Sequence, residues 1–136
     1  LVWRVPKDKR FEAYCRVLMA GLTAYLLAKL IGSVFQPSSE RPFESLGYAP
    51  GASYLNNPGF PSDHVLFLTA LSLAVYFETN ARKIVIVMAL FTALVALGRV
   101  LALVHSPLDV FGGALIASIG ALWYLSDYRL ARRTKI

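Results

Sequence analysis

The chain has two histidines, and both stand in short segments crowded with other chemically competent side chains. His64 closes Pro61-Ser62-Asp63-His64, while His105 follows Arg99 by six residues and precedes Asp109 by four. A third segment carries Lys29 and, further on, Arg41-Pro42. Together they provide three cations to hold a phosphate, one histidine to attack it, a carboxylate to orient that histidine and a second histidine to protonate what leaves. That set suits metal-free phosphate hydrolysis, a reaction so slow alone that enzymes accelerate it by up to ~10²¹-fold, much of it by neutralising charge on the phosphoryl group. Arg41 and Arg99 offer planar forks to two phosphate oxygens, and Lys29 offers a point charge.

Each residue also has a plainer reading. A single Lys or Arg near the end of an apolar helix commonly snorkels to the interface. If a helix begins after His105, Ser106 is its N-cap, Pro107 its first residue and Asp109 its third, a capping box with Asp as the acid, so capping and orienting His105 compete for the same carboxylate. Ser62 reads equally as an N-cap or as a phosphate ligand, and the two are compatible. His64 lies where free amides at a helix start bind anions, yet a lone histidine there is commonly only interfacial.

Arg99-Val-Leu-Ala-Leu-Val-His105-Ser-Pro-Leu-Asp109 resembles the third signature of the type-2 phosphatidic acid phosphatase superfamily, and Pro61-Ser62-Asp63-His64 resembles the second, usually Pro-Ser-Gly-His. Lys29 with Arg41-Pro42 is similar to the first, although eleven residues separate the two cations where the family usually has six, and Gly98 stands where it usually has Ser. The resemblance implies His105 as nucleophile of a phosphohistidine intermediate, Asp109 as its orienting carboxylate and His64 as general acid. It implies Lys29, Arg41, Ser62, Asp63 and Arg99 as phosphate-binding residues, with no metal and no cofactor. Asp63 in place of Gly is similar to the branch that dephosphorylates undecaprenyl pyrophosphate. Phosphatidic acid or phosphatidylglycerophosphate phosphatase is the alternative, and a non-catalytic lipid-binding membrane subunit is the alternative of another class. An acid beside His64 would favour the protonated imidazole while repelling an anionic substrate.

These segments must be positioned by membrane helices. Hydrophobic residues make up 57% of the 136, and mean hydropathy is +0.55, too apolar for a water-soluble domain of this size. Four stretches approach the ~20 residues that cross a bilayer: Tyr14 to Phe35, Ser62 to Phe77, Ile84 to Val104 and Pro107 to Leu125. The expected fold is all-α, a polytopic transmembrane bundle of at least four spans, with residues 1–136 as one integral-membrane unit and Leu1-Val2-Trp3-Arg4 as the inner end of a preceding helix. Between the first two spans, Pro37, Pro42, Pro50 and Pro58 with Gly47, Gly51 and Gly59 predict a loop, with Phe43 to Leu55 able to lie in the interface as a short helix.

Eleven of the fourteen basic residues fall on one side of a four-span arrangement: Arg4, Lys7, Lys9, Arg10 and Arg16, then Arg82 and Lys83, then Arg129, Arg132, Arg133 and Lys135. The net charge of +6 is therefore a topology signal, not a nucleic-acid patch. It predicts a multi-pass plasma-membrane protein whose site, with Lys29, Arg41 and Arg99, faces away from the cytoplasm. The partners expected are the bilayer and a lipid phosphate. Gly112-Gly113, Ala117 and Ala121 predict close helix packing in lipid. Trp3, Trp123, Tyr124 and Tyr128 read as an inner aromatic belt, and Cys15, the single cysteine, as a packing residue.

Overall fold

The computed structural model describes residues 4–54, 59–79 and 81–125. Among these, all regular structure is helical: α1 (Arg10–Val34), a four-residue turn of helix α2 (Pro42–Ser45), α3 (Asp63–Glu78), α4 (Arg82–Leu101) and α5 (Pro107–Gly120), with 3-10 turns at Lys7–Lys9 and Ala121–Tyr124.

The buried residues of α1 are all alanines, Ala13, Ala20, Ala24 and Ala28, while Leu18, Leu22, Leu26 and Leu30 point outward. Small residues inside and large ones outside is the pattern of a helix solvated by lipid, where association depends on close backbone approach. α5 answers it with buried Gly112, Gly113, Ala117 and Gly120. A Cβ on Gly120 would lie 2.5 Å from the Ala20 carbonyl oxygen, so α1 and α5 touch through their backbones. The expected stripe of small residues is thus the contact face of α5. Within α4 the one buried residue is Arg99.

Three helical segments are long and apolar enough to cross a membrane: Lys7–Val34, Arg82–Leu101 and Pro107–Tyr124. The expected fourth, α3, has 16 residues, or about 24 Å, less than the ~30 Å hydrocarbon core. Both of its ends are nonetheless tied to α1. Lys29 on α1 meets Asp63 at the start of α3, and Arg16 on α1 grips Glu78 at its end with two bonds of 2.7 and 2.8 Å. α3 is therefore antiparallel to α1 and packs against α1, α4 and α5.

Several expectations change. The interfacial helix over Phe43 to Leu55 contracts to α2. Tyr124 is no belt residue: it is buried and stacked on Phe77 with ring centroids 5.1 Å apart. Trp123 stays exposed and donates its indole N–H to Thr23 Oγ1 at 2.9 Å. Cys15 is exposed on α1, so packing does not explain it. Trp3, Tyr128, Arg129, Arg132, Arg133 and Lys135 lie outside the described residues.

Candidate active site

The site forms where α1 and α4 end and α3 and α5 begin. After Leu101 the chain turns sharply, with Leu103 at φ 59. That left-handed conformation costs a non-glycine residue roughly 1–2 kcal/mol. The turn offers three consecutive carbonyls to the α1–α3 loop: Ala102 O accepts from Gly51 N–H at 3.1 Å, Leu103 O from Phe43 N–H at 3.0 Å and Val104 O from Arg41 Nη1 at 2.6 Å. His105 N–H closes back onto Arg99 O at 3.3 Å.

α5 then starts as its sequence suggests. Asp109 N–H donates to Ser106 Oγ at 3.2 Å, and Ser106 N–H donates to Asp109 Oδ2 at 2.7 Å. The same Oδ2 lies 3.6 Å from His105 Nδ1. One oxygen thus serves the cap and lies nearest the imidazole: the capping box holds the carboxylate, and the held carboxylate faces His105. The distance exceeds that of a hydrogen bond. Nδ1 is the His105 nitrogen on the Asp109 side.

Ser62 caps α3 by position and is fully buried. Its N–H donates to Asp109 O at 2.9 Å, and its carbonyl would lie 2.7 Å from a Cβ on Gly113, so the start of α3 is seated on the first turns of α5. Its hydroxyl makes no cap hydrogen bond. Ser62 Oγ, Arg99 Nε and His105 Nδ1 are buried polar atoms with no hydrogen-bond partner among the described residues. Burying such atoms unpaired costs free energy, roughly 1–3 kcal/mol each. Donors from the second and third signatures are thereby left for an acceptor.

Arg41 and Arg99 are both buried, and they act on one another electrostatically. Arg99 Nη1 donates to Ser53 O at 2.9 Å, and the Tyr54 ring lies 5.1 Å from the Arg41 guanidinium carbon. A Cβ on Gly59 would be 3.5 Å from Asp109 Oδ2 and 3.9 Å from Arg41 Nη1, ordinary contact distances that place this residue between the first and third signatures. His64 is exposed in the first turn of α3, and Arg99, His105 and Asp63 are the charged or titratable groups that act on it. Lys29 is exposed and binds both oxygens of Asp63, at 3.3 and 3.4 Å. Asp63 therefore turns its carboxylate to Lys29 in addition to neighbouring His64.

Motif reading missed the supports. Gln36 Nε2 donates to Phe60 O at 3.1 Å and to Gly32 O, while its Oε1 accepts from Phe60 N–H at 3.3 Å. This amide clamp fixes the residue before Pro61-Ser62, and the Phe60 ring fills the place of a side chain at Gly112. Two cavities flank the clamp. One of about 490 Å³ is lined by Arg41, Tyr54, Ser106 and Asp109, the other of about 400 Å³ by Lys29, Ser33, Pro61 and Asp63, and Gln36 and Phe60 line both. Among the described residues no three of His, Cys, Asp and Glu gather in a group able to hold a metal ion.

An all-helical membrane bundle with two histidines, a carboxylate and basic residues gathered at one end defines a class, and the comparisons with known proteins agree with it. The chain belongs to the PAP2 superfamily, whose family model matches residues 13–133. It is 33% identical over 144 residues to the Escherichia coli (strain K12) protein named "Putative undecaprenyl-diphosphatase YbjG", covering 98% of this chain and 68% of that one. It is 29% identical over 125 residues to "Bacitracin transport permease protein BcrC" of Bacillus licheniformis, covering 88% of this chain and 57% of the relative. No solved structure matches the chain.

Proposed function

We propose that the chain is an integral-membrane lipid phosphatase that removes a phosphate from a lipid diphosphate through a phosphohistidine on His105, at the extracytoplasmic face of the plasma membrane. The observation that carries this reading is the set of partnerless buried atoms Ser62 Oγ, Arg99 Nε and His105 Nδ1 at the junction of α3, α4 and α5. Ser62 Oγ and Arg99 Nε are donors suited to phosphate oxygens, and Nδ1 is paired by a small approach to Asp109.

In this mechanism His105 Nε2 attacks the terminal phosphorus, and the bond to the bridging oxygen breaks with its electron pair going to the lipid side. His64 gives that oxygen a proton, and Asp109 stabilises the charge on His105. Water then gives a proton to the now neutral His64 and attacks the phosphorus, the P–N bond breaks with its electron pair returning to His105 Nε2, and inorganic phosphate leaves. Arg41 and Arg99 neutralise the phosphoryl oxygens throughout, which is the role a divalent ion would otherwise take.

The similarity to the relative named "Putative undecaprenyl-diphosphatase YbjG" supports undecaprenyl pyrophosphate as substrate. Phosphatidic acid and phosphatidylglycerophosphate are the competing substrates. The test is phosphate release by detergent-solubilised protein in EDTA, comparing kcat/KM for a polyprenyl diphosphate with both glycerolipids. Preference for the diphosphate with EDTA present is the expected result. Preference for a glycerolipid refutes the substrate, and activity abolished by EDTA refutes the metal-free chemistry.

A further inference from the structure

Lys29 is set apart from the other two cations. It lines the cavity on the α1 side of the Gln36–Phe60 clamp, whereas Arg41 lines the cavity on the other side. Lys29 and Asp63 also stand at one end of an open groove of about 470 Å³ between α1 and α3, whose walls are otherwise apolar and which reaches Val17 and Tyr124 at its far end. From Lys29 to Val17 is about 18 Å along α1. The pair thus crowns a lipid-facing channel, while the partnerless donors of Ser62 and Arg99 lie at the junction with α5.

We infer that Lys29 binds the lipid-side phosphate of a diphosphate substrate, not the phosphoryl group that is transferred, and that Asp63 holds it for that task. The inference rests on the phosphoryl-transfer reading above. A lipid whose hydrocarbon chain lies in the groove brings its nearest phosphate to the groove's charged end, and the terminal phosphate then extends toward Arg99, Ser62 and His105. Breaking the bridging P–O bond leaves the electron pair on the lipid monophosphate. A cation beside that group stabilises charge that grows in the transition state.

Asp63 gives the arrangement its selectivity. Without a phosphate at this position Lys29 is already neutralised by two contacts to the Asp63 carboxylate. A lipid monophosphate leaves as an alcohol, places no phosphate there and gains little from the pair. A diphosphate places a more highly charged group than a carboxylate next to the ammonium and draws it away. The eleven residues between Lys29 and Arg41 fit this division, because the two cations then serve different phosphates.

The test compares farnesyl diphosphate with farnesyl monophosphate in detergent micelles. In Lys29→Gln and Lys29→Met the ratio of kcat/KM, diphosphate over monophosphate, is expected to fall about tenfold, the size of one charge-assisted hydrogen bond. Lys29→Arg should restore most of the ratio. Circular dichroism and a monodisperse detergent complex establish that each variant is folded. An unchanged ratio in the folded Gln and Met variants overturns the inference. Failure of the underlying reading shows separately, as turnover of either substrate by His105→Ala.

Discussion

At the residue scale the site divides its labour by burial. His105, Asp109, Arg41, Arg99 and Ser62 are buried, while His64 and Lys29 are exposed. The buried set surrounds the proposed transferred phosphoryl group, and the exposed pair suits the proposed leaving side. His64→Ala should therefore lose ~10²–10⁴-fold on a lipid substrate, the usual worth of a general acid, and much less on p-nitrophenyl phosphate, whose leaving group needs no proton. Equal losses on both would show that His64 does something else. Arg99, His105 and Asp109 could be read together in the sequence because they fall within one short segment, and His64 because it closes Pro61-Ser62-Asp63. Gln36 and the Ser53 carbonyl were not, since a backbone oxygen carries no residue type and Gln36 meets Phe60 only after the loop has folded.

At the element scale, helix ends set the geometry and glycines set the distances. Gly113 lets the start of α3 sit on α5, whereas Gly98 has nothing within 4 Å of where a Cβ would stand. Gly113→Ala should cost about 1–3 kcal/mol through overpacking against the Ser62 carbonyl, read as a lower apparent melting temperature in detergent. Gly98→Ala should leave stability unchanged or raise it by about 0.5–1 kcal/mol through helix propensity. Comparable losses in both would contradict the seating of α3 on α5. The small stripe on α5 was legible from its spacing. The shortness of α3 was legible too, from the stretch Ser62 to Phe77, whereas its ion pairs to Arg16 and Lys29 were not, because no pattern within α3 encodes a partner on another helix.

At the scale of the whole molecule, Arg16 and Lys29 mark opposite ends of the described bundle, and the described basic residues outside the proposed site, Arg4, Lys7, Lys9, Arg10, Arg82 and Lys83, belong to the segments at the Arg16 end. Single cysteines at Ser53 and Thr134, in a Cys15→Ser background, should be labelled by a membrane-impermeant thiol reagent in intact cells at Ser53 alone. Labelling at Thr134 alone would invert the bundle and place the site in the cytoplasm. The central claim is the covalent step. Turnover of a terminally radiolabelled polyprenyl diphosphate, quenched in alkali where phosphohistidine survives, should leave one phosphoryl group on the peptide containing His105 and none in His105→Ala. A phosphoryl group found on His64 instead, or continued turnover by folded His105→Ala, would contradict it.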